Sequence, residues 1–322
     1  MKERVLSGMR PTGALHLGHY HGALKNWVRL QSTHECFFFV ADWHALTTHY
    51  EHREVIEKNV FEMVIDWLAA GLDPEQCTLF LQSRLPEHAE LFTLLAMGTP
   101  IGWLERTLAK LPKDSVKRLE KTRKAYQETG DAKALEGAMG YIASAPELDA
   151  HDRERLLGHL KGTGKVILPE PQVLLTEASK LPGLDGAKMS KSYNNAIAIR
   201  EDRASIEQKV RKMPTDPARA KRTDAGNPKN CPVWQFHLVY SDEGTRQWVT
   251  QGCTSAGIGC LECKQPVIEG ILREQQPMLE RAKPYVENPK IVRDIVDNGT
   301  EKARKTARET MREVRDAMGL NY

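Results

Sequence analysis

Ser7-Gly-Met-Arg-Pro-Thr-Gly-Ala-Leu-His-Leu-Gly-His-Tyr-His-Gly-Ala-Leu-Lys25 is the segment of this 322-residue chain that most clearly indicates its architecture. The segment follows the apolar pair Val5-Leu6, passes glycines and a proline, and then resumes apolar residues at helical spacing. This order predicts a strand, a turn and the start of a helix. Such a junction exposes backbone N–H groups and a helix N-terminus, where α/β sheets hold phosphate.

Two histidines of this segment are candidate phosphate ligands. His16 and His19 lie three residues apart, so we expect both on one face of the first helical turn. Gly18 between them leaves the backbone open to close approach by a ligand. Neutral imidazoles at this position can donate hydrogen bonds to a phosphate as its charge develops. The segment alone is equally compatible with histidines that only cap the helix.

Composition restricts the classes of protein to be considered. The formal net charge is +3 and 28% of the residues are charged, so nucleic-acid binding can rest only on local basic patches. The chain opens without a signal peptide and has no apolar run of membrane-spanning length, which predicts a cytoplasmic protein without membrane contact. In a reducing cytosol, the six cysteines favour metal ligation or buried thiols over disulfides.

Alternation of strands and helices predicts a Rossmann-like, doubly wound parallel α/β sheet. Apolar runs over 36–41 and 77–82 indicate further strands, with a helix over 55–70 between them and a brief strand over 166–168. Ligands of such sheets bind at the carboxyl ends of the strands. The polar residues expected there are Ser7, Asp42, His44, Gln82 and Ser83.

The rest of the chain has a helical pattern. Residues 107–162 are charged and helix-prone, with helices predicted over 113–128, 131–139 and 149–160. From residue 202 onward the periodicity predicts successive helices over 205–212, 233–240, 245–251, 266–283, 289–298 and 300–318. We therefore predict a Rossmann-like domain over 1–200, in which 107–162 is a helical, shortened insertion, and a helical domain over 201–322.

A second phosphate-binding element is predicted at residues 184–192, which we call the lysine loop. It contains Lys188, Ser190, Lys191 and Ser192 beside a glycine. Two ammonium groups on a mobile loop suit the β and γ phosphates of a nucleotide. An ordinary solvated basic turn is the competing interpretation.

Basic residues form two clusters in the helical region. The first contains Arg211, Lys212, Arg219, Lys221 and Arg222, and the second contains Lys302, Arg304, Lys305 and Arg308. Solvated helix faces explain most such runs, whereas a path for a polyanion is the alternative.

Four cysteines are concentrated in 33 residues of the helical region. Cys231, Cys253, Cys260 and Cys263 are separated by 21, 6 and 2 residues, with glycines beside the final pair. Four thiolates can hold either zinc or a four-iron cluster, and the spacing does not decide between the two. Buried thiols are the alternative, and this is the interpretation for Cys36 and Cys77 in the predicted strands.

These motifs together resemble the bacterial tryptophanyl-tRNA synthetases, which are class I aminoacyl-tRNA synthetases. His16-Leu-Gly-His19 stands where the family has its His-Ile-Gly-His signature, and Lys188-Met-Ser-Lys-Ser192 matches the second signature in every residue. Residues 40–47 and 102–106 are similar to the tryptophan-type sequence around these signatures. The resemblance covers residues 1–106 and about 160–322.

The resemblance implies roles for individual residues. His16, His19, Lys188 and Lys191 would act on the phosphates of ATP. The ATP site would further contain Arg10, Pro11, Thr12, Gly18, Met189 and Ser190. Leu6 and His44 would lie along the pocket for the amino acid. In the helical domain, which would recognise the anticodon, Cys231, Cys253, Cys260 and Cys263 would hold a 4Fe-4S cluster, with Zn²⁺ as the alternative.

By the same resemblance, the reaction is ATP-dependent activation of tryptophan followed by transfer to tRNA(Trp). ATP would act with Mg²⁺, and the protein would be a homodimer. The family members place three features after the Gly-Trp-Leu-Glu-Arg motif: an aspartate that reads the indole N–H, a Gly-Glu-Asp-Gln motif and further strands. None of these occurs between Thr107 and Gly162, as if several dozen residues were absent.

Three hypotheses follow from this pattern of match and departure. The first is an ATP-dependent tryptophan–tRNA ligase. The second is a synthetase-like protein that binds nucleotide or tRNA but has lost amino-acid activation. The third is a tyrosyl-type or other class I nucleotidyl transferase. Because hydrogen-bond selection gives synthetases their strongest discrimination, the absent aspartate bears on all three.

Overall fold

The computed structural model of the chain describes residues 2–49, 51, 53–98, 110–129, 132–161, 172, 174, 181–190, 193–320 and 322. Several sequence predictions lie outside these residues, namely the strand over 166–168, the motif at 102–106, and Lys191 and Ser192 of the lysine loop. Contacts divide the chain into a first unit of residues 1–86 and 173–307 and a second unit of residues 87–172 and 308–322. The predicted boundary at residue 200 falls inside the first unit and stays a prediction.

Three strands in the described part of the chain form a parallel sheet in the first unit. They are β1 Arg4–Met9, β2 Glu35–Val40 and β3 Cys77–Leu81, in the spatial order β1-β2-β3. The central strand β2 pairs Phe38 with Ser7 on one side and with Leu79 on the other. Its apolar run is buried as predicted, because both faces of a parallel sheet are covered.

Helical segments connect the strands. Between β1 and β2 the chain forms α1 Leu17–His19, a π-helical turn Tyr20–Leu24 and α2 Lys25–Thr33. Between β2 and β3 it forms α3 Asp42–His49 and α4 Arg53–Ala70. Gly71 follows α4 with φ +113°, a backbone conformation that favours glycine and ends the helix.

Aromatic residues fill the core between the sheet and these helices. Trp27 of α2 stacks on Phe38 of β2 with ring centroids 4.3 Å apart, and Trp67 of α4 meets Trp27 edge-on at 5.4 Å. Phe38 and Trp67 are fully buried. Such pairs add roughly 0.5–1.5 kcal/mol each to the stabilisation that comes from area burial.

The second unit contains α5 Glu87–Gly98, α6 Lys113–Thr129, α7 Ala132–Ser144 and α8 Ala150–Lys161. Buried Leu119, Ile142 and Leu156 form a small core among α6, α7 and α8. The three helices predicted in this region therefore form, with boundaries that differ by a few residues.

The helical region after residue 200 contains α9 Arg203–Lys212, α10 Pro232–Tyr240, α11 Glu243–Thr254, α12 Cys260–Glu287 and α13 Pro289–Met318. The two helices predicted over 289–298 and 300–318 are one continuous helix, so that predicted break was wrong. None of the helices in the described residues is both long enough and apolar enough to span a bilayer.

Gly299, at the predicted break, has a packing role. A Cβ atom added there would collide with the backbone carbonyl oxygen of Leu79. Glycine therefore allows α13 to lie directly against β3 at the margin of the sheet. Covering an edge strand with a helix keeps its polar backbone groups from pairing with another chain.

The opposite margin of the sheet, at β1, has no pairing strand in the part of the chain that the structure describes. Glu3 O accepts a hydrogen bond from Glu35 N, and Met9 O accepts one from Ala41 N. The backbone groups of odd-numbered residues in β1 therefore point towards β2, and those of even-numbered residues point away from it. Burial along β1 alternates in the same way, and the Leu6 side chain is 56% exposed.

Candidate active site

A cleft of 580 Å³ lies in the first unit, between the segment after β1 and the lysine loop. It is lined by Met9, Arg10, Thr12, Gly13, Ala14, Leu15, His16, His19, Lys188, Met189, Ser190 and Tyr193. The two elements that the sequence singled out separately thus form opposite walls of one cleft.

The imidazole rings of His16 and His19 lie against each other in the first wall, tilted by 32°. Their ring centroids are 3.7 Å apart, and the backbone N–H of His16 donates to His19 Nδ1 over 3.3 Å. His16 occupies the N-cap position of α1 with an extended backbone, and its side chain is 7% exposed. The helix N-terminus and both imidazoles consequently face the same cleft, an arrangement suited to an anion.

Gly18 joins the two walls. Its backbone N–H donates a hydrogen bond to the sulfur of Met189 over 3.3 Å. A Cβ atom at position 18 would stand 3.0 Å from the His16 ring and 3.3 Å from the Met189 Cβ atom. Both distances are tighter than ordinary van der Waals contact, so only glycine fits without displacement of a neighbour.

Asn195 holds the described part of the lysine loop in shape. Its side chain is buried, accepts a hydrogen bond from Ser190 N over 2.7 Å, and donates to Asp185 Oδ1 over 2.8 Å and to the Lys188 carbonyl over 3.2 Å. The hydrogen bond from Asn195 lowers the pKa of Asp185. One amide therefore links three points of the turn that presents Lys188.

The two walls are also connected through the backbone. Leu17 N donates to the Ile197 carbonyl over 2.9 Å, and Ile199 N donates to the Leu15 carbonyl over 3.0 Å. These bonds flank an antiparallel bridge between His16 and Ala198. The position of the lysine loop relative to the histidines thus depends on a very short ladder.

Most predicted residues of the ATP site line the cleft. Those found there are Arg10, Thr12, His16, His19, Lys188, Met189 and Ser190. Pro11 is buried beside them, and Gly18 contacts Met189 from behind the cleft wall. Lys191 lies outside the described residues. Sequence reasoning missed Tyr193, whose side chain is 73% exposed at the mouth of the cleft, although its position beside the signature was a usable signal.

The predicted residues of the amino-acid pocket do not line this cleft. Leu6 is exposed on the outer side of β1, and His44 is exposed at the start of α3. His44 Nδ1 lies 2.9 Å from Gln82 Oε1, which joins the carboxyl ends of β2 and β3 as the sheet topology predicts. A role of Leu6 and His44 in binding an amino acid stays a prediction.

The four clustered cysteines lie near one another between α10, α11 and α12. Burial raises the pKa of the Cys263 thiol to about 12, and Cys231, Cys253 and Cys260 contribute to the shift. Cys263 Sγ lies 3.4 Å from His237 Nε2. Within the described residues, which include all four cysteines, no group of three or more potential ligand side chains is arranged to hold a metal ion. The predicted iron–sulfur or zinc centre is therefore not supported by this arrangement.

One member of the first basic cluster is structural. Arg219 is only 7% exposed and donates to the carbonyls of Arg222 and Ile258 and to Cys253 Sγ. The prediction that Arg219 belongs to a solvated face or a polyanion path was wrong, because its guanidinium is buried and holds loop carbonyls. Lys221 and Arg222 remain exposed, with Arg222 beside Glu262 at 3.4 Å.

A family model described as tRNA synthetases class I (W and Y) matches residues 2–128 and 153–272 of the chain. Together with the cleft geometry, this match defines the class of the protein. The chain belongs to the class I tRNA synthetases of the tryptophan and tyrosine type.

Similar proteins within this family carry the tryptophan name. The tryptophan–tRNA ligase of Ralstonia nicotianae is 56% identical in an alignment of 396 positions, gaps included, that covers 99% of either chain. That of Thermotoga maritima is 41% identical over 99% of this chain and 100% of its own. The crystal structure of Campylobacter jejuni tryptophanyl-tRNA synthetase complexed with ADP and tryptophan covers 98% of this chain and 100% of its own, with 26% identity and a TM-score of 0.72. The predicted resemblance and fold class are confirmed.

The comparison with the Ralstonia relative also bears on the length of the chain. The alignment runs over 396 positions, whereas this chain has 322 residues, so the relative carries residues that this chain lacks. The alignment with the Thermotoga relative runs over only 336 positions, so relatives differ in length, and the absence of a segment after Arg106 stays a prediction.

Proposed function

We propose that the chain acts as an ATP-dependent tryptophan–tRNA ligase. The observation that carries this proposal is the single cleft in which His16 and His19 face Lys188 and Met189. The Ralstonia and Thermotoga relatives, both named tryptophan–tRNA ligase, support the choice of tryptophan over tyrosine.

The chemistry would proceed by positioning and charge stabilisation. A tryptophan carboxylate would attack the α-phosphorus of ATP, forming a P–O bond as the bond to the pyrophosphate oxygen breaks. Lys188, and by resemblance Lys191, would pair with the departing pyrophosphate, while His16 and His19 would donate hydrogen bonds to phosphate oxygens. Mg²⁺ would enter as part of the nucleotide substrate. No side chain needs to act as a nucleophile.

Transfer would follow by attack of a hydroxyl at the tRNA 3′ end on the adenylate carbonyl, with AMP leaving. We therefore propose that the protein binds tryptophan and tRNA(Trp). We also propose that it is a homodimer and that it is located in the cytoplasm. Lys221 and Arg222 are exposed candidates for contact with the tRNA backbone. Replacing both by alanine should lower tRNA affinity and its dependence on salt, and unchanged values would reduce this patch to a solvated face.

A second candidate function is that of a synthetase-like protein that binds nucleotide or tRNA without activating an amino acid. It is favoured by Leu6 and His44, which do not line the cleft, and by the residues of the Ralstonia relative that this chain lacks. The first observation concerns the predicted amino-acid pocket, whereas the predicted nucleotide site keeps its cleft.

Tryptophan-dependent exchange of pyrophosphate into ATP separates the two candidates. Exchange with tryptophan supports the ligase, a preference for tyrosine supports a tyrosyl-type enzyme, and ATP binding without exchange for any amino acid supports the second candidate. An intact mass near 36.4 kDa must accompany the assay to establish that the short chain itself was measured.

The four cysteines carry a separate proposal, which no catalytic step requires. Their thiols are chemically suited to bind a metal ion, and they lie close enough to influence one another, so we retain the 4Fe-4S cluster, or Zn²⁺, as the proposed occupant. Iron, sulfide and zinc analysis of the purified chain tests it. Brown absorbance with iron supports the cluster and zinc alone supports the alternative, whereas the absence of both metals would leave four free, partly buried thiols.

A further inference from the structure

Asp66 is a carboxylate buried on the core side of α4. Its side chain is 2% exposed, and its neighbours Ile65 and Trp67 are buried apolar residues. Burial raises the pKa of Asp66, and the guanidinium of Arg200 opposes that shift. Burying a carboxylate costs free energy unless its oxygens accept hydrogen bonds or pair with a cation. The partners of Asp66 therefore indicate its role in the structure.

Both carboxylate oxygens of Asp66 accept hydrogen bonds, one from the segment that carries His16 and one from the segment that follows the lysine loop. Oδ2 accepts a hydrogen bond from the backbone N–H of Leu15 over 3.0 Å, directly before His16. Oδ1 accepts from Arg200 Nε over 2.6 Å, on the segment that leaves the lysine loop. Arg200 also donates to Glu62 Oε2 over 2.5 Å, one helical turn before Asp66 on α4.

The two segments that meet at Asp66 are otherwise joined by little backbone pairing. The bridge between His16 and Ala198 is flanked by two hydrogen bonds, which is too short a ladder to fix its own register. Gln275 Nε2 supports it from α12 by donating to the Ala198 carbonyl over 2.7 Å. Asp66 contacts the end of the ladder, at the paired residue Leu15 and at Arg200, which directly follows the paired residue Ile199.

We propose that Asp66 is a positioning residue of the ATP site, whose carboxylate fixes the register between the segment carrying His16 and His19 and the segment that leaves the lysine loop. This inference rests on the proposed nucleotide site. Arg200 acts together with Asp66 in this role, because its planar guanidinium contacts Asp66 and Glu62 at the same time.

The proposal predicts a specific kinetic pattern. Without the carboxylate, Lys188 shifts relative to the histidines, and misplacement by about 1 Å costs roughly 100-fold in well-oriented reactions. ATP contacts both walls, so its affinity falls. Tryptophan is not predicted to bind between these walls, so its KM stays constant. A purely structural role would lower the active fraction, which reduces kcat while both KM values stay unchanged.

The test uses Asp66→Asn in the full chain, with ATP affinity measured by equilibrium dialysis in the absence of tryptophan. We expect the Kd for ATP to rise by about tenfold or more. In the exchange assay the KM for ATP should rise and the KM for tryptophan should not. A Kd for ATP within about twofold of the unmodified chain would overturn the proposal.

A second variant covers the case in which Asp66→Asn does not fold. Arg200→Lys keeps the positive charge near the surface but cannot reach both carboxylates, so it should raise the Kd for ATP in the same direction. The double variant Asp66→Asn with Arg200→Lys should cost no more than the larger of the two single effects, because both changes weaken the same contact. Additive effects would contradict a shared role.

Arg203→Gln is the matched control. Arg203 forms one ion pair, with Glu207 on the same helix, and its side chain is 76% exposed, so its loss should leave ATP binding unchanged. Failure of this inference can be separated from failure of the proposed function. Exchange activity with an unaltered ATP affinity in both Asp66→Asn and Arg200→Lys would reject only the positioning role. ATP binding without exchange, weakened by Asp66→Asn, would reject only the ligase.

Discussion

The backbone N–H of Gly18 is hydrogen-bonded to the thioether sulfur of Met189, 171 residues further along the chain. The glycine of the first signature and the methionine of the second are thus in direct contact. The contact gives Met189 a structural role, because its side chain is buried (4% exposed) while the adjacent Lys188 lines the cleft.

Gly18→Ala should weaken ATP binding. The added methyl group would stand 3.0 Å from the His16 ring and 3.3 Å from Met189, forcing the two walls apart. We expect the KM for ATP in the exchange assay to rise by about tenfold. Gly22→Ala is the control, because a Cβ atom at Gly22 meets nothing within 4 Å. Equal effects of the two substitutions would show that helix propensity, and not this contact, is responsible.

Asn195→Ala should loosen the lysine loop. The substitution removes the bonds to Ser190 N, Asp185 and the Lys188 carbonyl, and leaves buried polar groups without partners. The free energy of unfolding should fall by about 1–3 kcal/mol in urea titrations, and the exchange rate should drop as well.

The neighbouring residue provides the control for this prediction. Asn194 has φ 50°, in the left-handed region, so Asn194→Gly should preserve both stability and exchange. Loss of activity in Asn194→Gly equal to that in Asn195→Ala would argue that any change in this turn is harmful.

The two strand cysteines should resist alkylation. Burial raises the pKa of Cys77 to about 12 and also raises the pKa of Cys36, so at pH 8 almost no reactive thiolate is present at Cys77 in the folded chain. Mass spectrometry after iodoacetamide treatment should find Cys36 and Cys77 unmodified until the chain is unfolded. Rapid modification of either thiol in the native protein would mean that β2 and β3 open readily.

Gly299→Ala should destabilise the first unit. The added methyl group would collide with the Leu79 carbonyl, and overpacking of this kind costs about 1–3 kcal/mol. Gly244→Ala in α11 is the matched substitution, since its Cβ atom would meet only Asp242 Oδ1 at 3.8 Å. Because alanine favours helices by up to about 1 kcal/mol, Gly244→Ala should be neutral or slightly stabilising. Urea unfolding of both variants measures the difference.

Local sequence patterns predicted the elements of the fold well. The apolar run at 36–40 became a buried central strand, and the periodicity from residue 55 became α4. These predictions succeed because burial on both faces of a sheet, or on one face of a helix, leaves a regular spacing of apolar residues.

Long-range partners could not be predicted from spacing. Nothing in the letters around Asp66 distinguishes a buried carboxylate that joins two distant segments from an exposed one on a helix. Arg219 shows the reverse error, because a basic residue among basic residues was placed on the surface when its guanidinium holds buried carbonyls. That His16 and His19 lie across the cleft from Lys188 could be predicted only from the family resemblance, because no periodicity relates residues so far apart in the sequence.

Gly299 was misread for a similar reason. A glycine between two helical patterns usually favours an end, yet here it marks the place where a helix touches a strand backbone. The glycine is visible in the sequence, but its role depends on contact with Leu79 in a strand more than 200 residues earlier in the chain.

The contact of α13 with the backbone of Leu79 makes the two margins of the sheet unequal. One margin is closed by a helix that tolerates no added methyl group, and the other, at β1, presents outward-turned backbone groups among the described residues. Within the described residues, β1 is therefore the margin at which a further strand could pair with the sheet. A strand added at β1 would leave the interior packing around Phe38 and Trp67 unchanged, because both side chains lie between the central strand and the helices.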